Sequence, residues 1–126
     1  MLFDTEFVIA LGRGGQSVGR QRCDRFLVQH RPPQLYTSRV SWAEVAEGFE
    51  SPLDHAQVVG RFTLLEVDAE IAWIASRLAR QLKSKGQHIG DNDVWIAATA
   101  VAFGLPLVSN NKTHFGRVPG LKLLAY

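Results

Sequence analysis

The chain has 126 residues and a mass of 14.0 kDa, and 46% of its residues are hydrophobic. This is enough apolar material for one buried core, so we expect a single domain over residues 1–126. The net charge of +2 excludes a strongly charged disordered chain, and no apolar stretch reaches the length of a membrane-spanning helix. Cys23 is the only cysteine, which excludes an internal disulfide and favours the reducing cytoplasm.

The order of apolar runs and helical stripes gives an alternating set of strands and helices. In chain order we predict a strand at 1–4, a helix at 19–30, a strand at 34–40, helices at 41–49 and 54–60, a strand at 62–67, helices at 68–85 and 92–103, and strands at 106–109 and 121–125. A glycine-rich loop is expected after the first strand. Strands that alternate with helices predict an α/β fold, with a mainly parallel central sheet flanked by helices in three layers.

The boundaries of these elements rest on capping residues and apolar stripes. Ser41 is taken as the start of helix 41–49, whose apolar stripe runs to Phe49. Asp68 is expected to cap the helix that Gly86 ends, and Gly104 to close helix 92–103.

Three acids are expected at one edge of this sheet. Asp4 ends the first strand, Glu44 follows the second strand, and Asp93 opens the helix before strand 106–109. Functional groups collect at the carboxyl ends of parallel strands, and carboxylates that converge there without basic partners repel one another. A divalent cation would neutralise them, and hard oxygen ligands favour Mg²⁺ or Mn²⁺ over zinc.

Each acid also has a purely structural explanation. Glu44 stands three residues after Ser41 and would complete a capping box, while Asp4 would simply close a strand. Asp93 suits a helix N-terminus, and Asp91 or Asn92 would cap the same helix. Taken one at a time, the acids therefore do not establish a site.

Several segments, in order, resemble PIN-domain nucleases of the kind that form the toxin half of VapC-type toxin–antitoxin pairs. They are LFDTEFVIAL, TSRVSWAEVAEG and NDVWIAATAVAFGLPLVSNNKTHF, and the tail RVPGLKLLAY is similar to the way VapC-type toxins finish. The resemblance covers nearly the whole chain and maps the family's acids onto Asp4, Glu44 and Asp93. One departure is Asn111, which stands where many members carry a fourth acid.

The resemblance implies a PIN-like fold and a metal-dependent endoribonuclease that hydrolyses RNA phosphodiester bonds. Asp4, Glu44 and Asp93 are then the catalytic residues, with Mg²⁺ or Mn²⁺ held by Asp4 and Asp93. It also implies a cognate antitoxin protein and a homodimer. Glu44, Asp91 and Asn111 are further candidate metal ligands, and the candidate substrate-binding residues are Thr5, Ser109, Asn111, Arg13 and His114.

Other features of the sequence leave alternatives open. Residues 1–40 carry six arginines against three acids, which suits a phosphate backbone, although an ordinary solvated surface explains it more simply. Trp73 projects opposite the apolar stripe of its helix and marks either an interface or a site covered by another helix. An inactive RNA-binding PIN module, favoured by Asn111, and a receiver-like signalling domain with Asp68 as phospho-acceptor are the alternative functions.

Overall fold

The computed structural model describes all 126 residues and has one central sheet of five strands with helices on both faces. All neighbouring strands pair in parallel, in the order β3-β2-β1-β4-β5. The strands are β1 Leu2–Phe3, β2 Tyr36–Ser38, β3 Thr63–Leu65, β4 Leu107–Val108 and β5 Leu123–Leu124. The helices are α1 Thr5–Gly12, α2 Val18–His30, α3 Arg39–Ala46, α4 Pro52–Val59, α5 Ala69–Ser84, α6 Asp91–Phe103 and α7 Lys112–Phe115. None of these helices has both the length and the apolar character that crossing a membrane requires.

The core is divided by the sheet into two clusters, because successive side chains of a strand point to opposite faces. Leu2 and Leu107 pack with the cluster of α5 and α6, whereas Phe3 and Val108 pack with the cluster of α1 and α2. All four side chains are fully buried. The predicted three-layer α/β fold with a parallel sheet is therefore confirmed, and the sheet is parallel throughout rather than mainly so.

The strand order decides against the receiver-like alternative. Receiver domains use the order 2-1-3-4-5, whereas here β1 lies between β2 and β4. Asp68 accepts a hydrogen bond from the Ile71 backbone N–H at 2.9 Å and so caps α5, as predicted. The order also changes direction between β1 and β4, which is where sheets of this type bind ligands at their carboxyl edge.

The predicted glycine-rich loop directly after β1 is wrong, because α1 occupies Thr5–Gly12. The Asp4 carboxylate accepts a hydrogen bond from the Phe7 backbone N–H at 2.9 Å and caps the helix. Phe7, Val8 and Leu11 bury its inner face. The loop itself is confined to residues 13–17, where Ser17 caps α2.

The expected start of the third helix at Ser41 is also wrong. The helix begins at Arg39, and Ser38 caps it by accepting from the Ser41 backbone N–H at 3.0 Å. The capping box between Ser41 and Glu44 therefore does not exist. The helix ends at Ala46, so Phe49 lies beyond it and is 36% exposed.

Two further differences lie next to the carboxyl edge. Gly90, with φ 91°, precedes α6 and no side chain caps that helix, so the predicted capping by Asp91 or Asn92 is wrong. A short helix, α7, was not predicted; Asn111 caps it by accepting from the His114 backbone N–H at 3.2 Å. Neither Asp91 nor Asp93 is therefore explained as a side-chain cap.

Candidate active site

An acidic cleft of about 400 Å³ opens at the carboxyl edge of the sheet, at the point where the strand order changes direction. Its ten lining residues are Asp4, Thr5, Glu6, Ile9, Glu44, Glu47, Asp93, Ile96, Asn111 and Phe115. The three acids singled out in the sequence thus line one cleft, although they come from β1, α3 and α6. No lysine or arginine lines it.

Asp4 is the buried acid of the cleft, with 5% of its surface exposed. Burial raises the pKa of Asp4 to about 6, because removal from water disfavours the ionised form. Hydrogen bonds from the Ser109 side chain and the Phe7 backbone lower this pKa, whereas the charges of Glu6 and Asp93 raise it further. No cation stabilises the Asp4 carboxylate, so its ionised form is held at a cost in free energy.

Glu44 faces the cleft and is held from two sides. The Thr5 hydroxyl donates to Glu44 Oε1 at 2.6 Å, and Asn92 Nδ2 lies 3.4 Å from Glu44 Oε2. Thr5 directly follows Asp4, so the first acid and the second are connected through one residue of the chain. This arrangement fixes the Glu44 carboxylate without giving it a positive partner.

Asp93, unlike the other two acids, has a histidine as its partner. His114 Nδ1 lies 2.7 Å from Asp93 Oδ2, which corrects the expectation that the three acids have no basic neighbour. The His114 backbone is bonded to the Asn111 side chain, and the Asn111 backbone N–H donates to Ser109 Oγ at 3.0 Å. Because the Ser109 side chain also lowers the pKa of Asp4, the residues Ser109, Asn111 and His114 connect the surroundings of Asp4 to Asp93.

Four of the predicted site residues are not among those that line the cleft. Ser109 and His114 bond to its acids Asp4 and Asp93, whereas Asp91 and Arg13 do not. The Asp91 side chain is 81% exposed and points to His88, whose Nε2 lies 3.5 Å from Asp91 Oδ1. Arg13 is exposed at the end of α1 and lines a neighbouring cavity of about 480 Å³, which shares Glu44 with the acidic cleft. Asn111 lines the cleft, but its side-chain oxygen already caps α7.

Sequence reasoning missed two acids of the cleft, Glu6 and Glu47. Glu47 follows Glu44 by three residues and Glu6 follows Asp4 by two. The helical spacing of the glutamates was the available signal for Glu47. Glu6 gave no such signal, because residues 5–12 were not predicted to be helical.

The chemistry of the cleft fits a hard divalent cation. It supplies five carboxylates and one amide oxygen, and the buried Asp4 carboxylate has no cation of its own. As placed, no three acidic, histidine or cysteine side chains are close enough together to hold one ion. Glu44 is turned toward Thr5 and Asp93 toward His114, so ion binding requires these side chains to rotate.

Sheets of this α/β class bind their ligands at the carboxyl edge where the strand order changes direction, and here that edge carries the carboxylates of the cleft. The family model described as "PIN domain" matches residues 1–121, and the chain therefore belongs to the PIN-domain family.

Named relatives and solved structures agree with this assignment. The chain is similar to Ribonuclease VapC2 of Haemophilus influenzae, with 34% identity over 96 residues that cover 71% of this chain and 73% of the relative. It is also 26% identical to Ribonuclease VapC1 of Haemophilus influenzae strain R2866, over 96% of this chain and 93% of that one. The DNA-bound VapBC structure from Salmonella typhimurium superimposes with a TM-score of 0.78 at 25% identity, covering 98% of this chain and 96% of that chain.

Proposed function

We propose that this protein is the ribonuclease toxin of a VapC-type toxin–antitoxin pair and that it hydrolyses RNA phosphodiester bonds in the acidic cleft. The membership in the PIN-domain family and the similarity to ribonucleases named VapC support the class of reaction. The observation that carries the assignment to the cleft is Asp4, a buried carboxylate among four other acids with no lysine or arginine beside it. The hydrogen bond from the Phe7 backbone N–H offsets only part of the free-energy cost of burying this charge, and a bound cation would offset more of it.

Asp4 and Asp93 are proposed to hold a Mg²⁺ or Mn²⁺ ion, with Glu44 and Asn111 as further oxygen donors. When bound, the ion lowers the pKa of a coordinated water and neutralises charge on the phosphate. The side chains of this protein contribute placement and charge. Ser109 donates to the Asp4 carboxylate, and Thr5 orients Glu44 into the cleft. No side chain of the cleft is needed as a covalent nucleophile.

The partners follow from the same proposal. The structures that resemble this chain include VapBC toxin–antitoxin complexes, so we propose a small antitoxin protein as its partner, with a segment that blocks the cleft. A homodimer and a cytoplasmic location, where RNA is the available substrate, complete the proposal. The chain is proposed to act as one PIN-like domain over residues 1–126.

Cleavage of RNA by purified variants tests the proposal. In the presence of Mn²⁺, the wild type should cut RNA, whereas Asp4→Asn and Asp93→Asn should lose the activity while keeping their folded circular dichroism spectra. Glu70→Gln, which neutralises an exposed acid in the first turn of α5, is the matched control and should cut as the wild type does. Full activity of folded Asp4→Asn would refute the assignment of the cleft.

An inactive RNA-binding module is the second candidate. It is favoured by Asn111, which brings no charge and whose side-chain oxygen is occupied in capping α7. This candidate predicts that the wild type binds RNA but yields no cleaved ends with Mg²⁺ or Mn²⁺. Mapping RNA ends after induced expression of the wild type and of Asp4→Ala separates the two candidates.

A further inference from the structure

A second cavity, of about 310 Å³, carries the charge opposite to that of the acidic cleft. It is lined by Arg22, Arg25, Phe26 and Gln29 of α2 and by Ala125 and Tyr126 after β5. No acidic side chain is among the lining residues. Two guanidinium groups, an amide and a phenol offer hydrogen-bond donors in one place, which suits an oxyanion. We call this cavity the arginine pocket.

The two arginines of the pocket are free to bind. Arg22 and Arg25 are three residues apart on α2, so they project from the same exposed face. Neither takes part in an ion pair of the fold, whereas the neighbouring Arg20 is held by Asp24 at 3.1 Å. Their positive charge is therefore available to a ligand.

The arginine pocket is connected to the acidic cleft through Tyr126. The Tyr126 ring packs edge-on against Phe7 at 4.7 Å between centroids, and the Phe7 backbone N–H donates to Asp4. The Tyr126 backbone N–H donates to Asn110 Oδ1 at 2.8 Å, and Asn110 precedes Asn111 of the cleft. Tyr126 of the pocket is therefore linked through Phe7 to Asp4, and through Asn110 to Asn111, and both Asp4 and Asn111 line the cleft.

The phenol of Tyr126 is suited to donate rather than to accept. Burial raises the pKa of Tyr126, and the negative charge of Asp4 raises it further. The hydroxyl consequently stays protonated throughout the pH range in which RNA is handled. It adds a neutral donor to the two guanidinium groups of Arg22 and Arg25.

We infer that the arginine pocket binds a phosphodiester of the same RNA strand that is cut in the acidic cleft. The inference rests on the proposed ribonuclease function. Without a bound metal ion, a cleft with five carboxylates repels a polyanion, so cationic side chains outside the cleft strengthen the binding of RNA. Arg22 and Arg25 supply positive charge outside the cleft, and one guanidinium group can bind two oxygens of the same phosphate. This gives a function to part of the arginine excess in residues 1–40.

The double variant Arg22→Gln/Arg25→Gln tests the inference, with Arg77→Gln/Arg80→Gln on α5 as the control of equal charge. Binding is measured in EDTA, by fluorescence anisotropy of a fluorescein-labelled random-sequence RNA oligonucleotide over a salt series. We expect the first variant to bind about tenfold more weakly, as loss of a charged hydrogen bond implies. For this variant, the slope of the logarithm of the binding constant against the logarithm of the salt concentration should also be shallower by about 0.7 for each lost phosphate contact. Equal weakening in both double variants would overturn the inference, because net charge would then explain it.

Kinetics with Mn²⁺ separate a failure of the pocket from a failure of the proposed function. The Arg22→Gln/Arg25→Gln variant should raise KM and leave kcat unchanged, and Arg22→Lys/Arg25→Lys should recover part of the affinity. If the wild type cuts RNA and the glutamine variant keeps its RNA affinity and KM, the inference fails while the function stands. Unchanged RNA affinity with loss of antitoxin binding would assign the pocket to the protein partner and also overturn it. RNA binding that depends on Arg22 and Arg25, without any cleavage, would support the RNA-binding role of the arginine pocket and refute the proposed nuclease function.

Discussion

Replacing Asp4 by Asn should stabilise the metal-free protein, which is unusual for a buried position. Folding raises the pKa of Asp4 from its ordinary value of 3.8 to about 6, so the folded state binds this proton more tightly than the unfolded chain does. Below pH 3.8 both states are protonated and no penalty exists. As the pH rises toward 6, only the unfolded chain ionises freely, and the free energy of unfolding falls.

The size of the effect follows from the shift. One pKa unit corresponds to about 1.4 kcal/mol, so above pH 6 the ionised Asp4 costs on the order of 3 kcal/mol. Asn carries no charge, and its side-chain oxygen can still accept from the Phe7 backbone N–H that caps α1. The variant should therefore melt about 10 °C higher than the wild type at pH 7.5 in EDTA. The difference should disappear near pH 3.5.

Thermal unfolding followed by circular dichroism, in EDTA and in Mg²⁺ or Mn²⁺ at matched ionic strength, measures both effects. An ion at about 100 times its dissociation constant adds roughly 2.7 kcal/mol to the wild type, which should offset the penalty of Asp4. The Asp4→Asn variant should lose most of that gain. A variant that melts below the wild type at pH 7.5 in EDTA, and that gains equally from metal, would refute this reasoning.

Three smaller predictions concern single side chains. Asn111→Asp should bind Mn²⁺ more tightly by isothermal titration, because the carboxylate adds charge to the cleft and can still cap α7; equal or weaker affinity would remove Asn111 from the site. Thr5→Val should reduce RNA cleavage by about tenfold, the value of one hydrogen bond to a charged group, while Thr5→Ser keeps the bond to Glu44 and the activity. Cys23 should resist iodoacetamide at pH 8 in the native protein and react after unfolding, because burial raises the pKa of its thiol to about 11; rapid native labelling would contradict this.

The sequence correctly predicted the elements whose local residue pattern has only one structural interpretation. The stripe from Ile71 to Leu82 buries α5, Asp68 caps it, and Gly104 ends α6 in the left-handed conformation that favours glycine. The alternation of elements likewise predicted the parallel sheet. The caps and the apolar stripe depend on residues within a few positions of one another, so tertiary packing had little to change in these helices.

Prediction from the sequence failed where the same residue type could serve the same role at either of two positions. Ser38 and Ser41 stand three residues apart and both suit a helix N-cap. Both are fully buried, and the helix starts one turn earlier because Ser38 accepts from the Ser41 backbone N–H. Asp4 was assigned to the end of a strand and to a metal, and its further role as the cap of α1 was not seen. The four-residue helix α7 is too short to have a periodic pattern. The arginine pocket needs the contact of Tyr126 with Phe7, which no local pattern contains.

The two roles of Asp4 explain why its carboxylate can stay in a site that destabilises it. As the N-cap it lies at the positive end of α1, where a negative charge is favoured and the Phe7 backbone N–H donates to it. Burial nevertheless dominates, since the pKa of Asp4 is raised rather than lowered. The helix end thus reduces the cost of ionisation without removing it, and the remaining cost is the free energy that a cation recovers on binding. A carboxylate fully satisfied by backbone groups would gain less from a metal ion and would bind it more weakly.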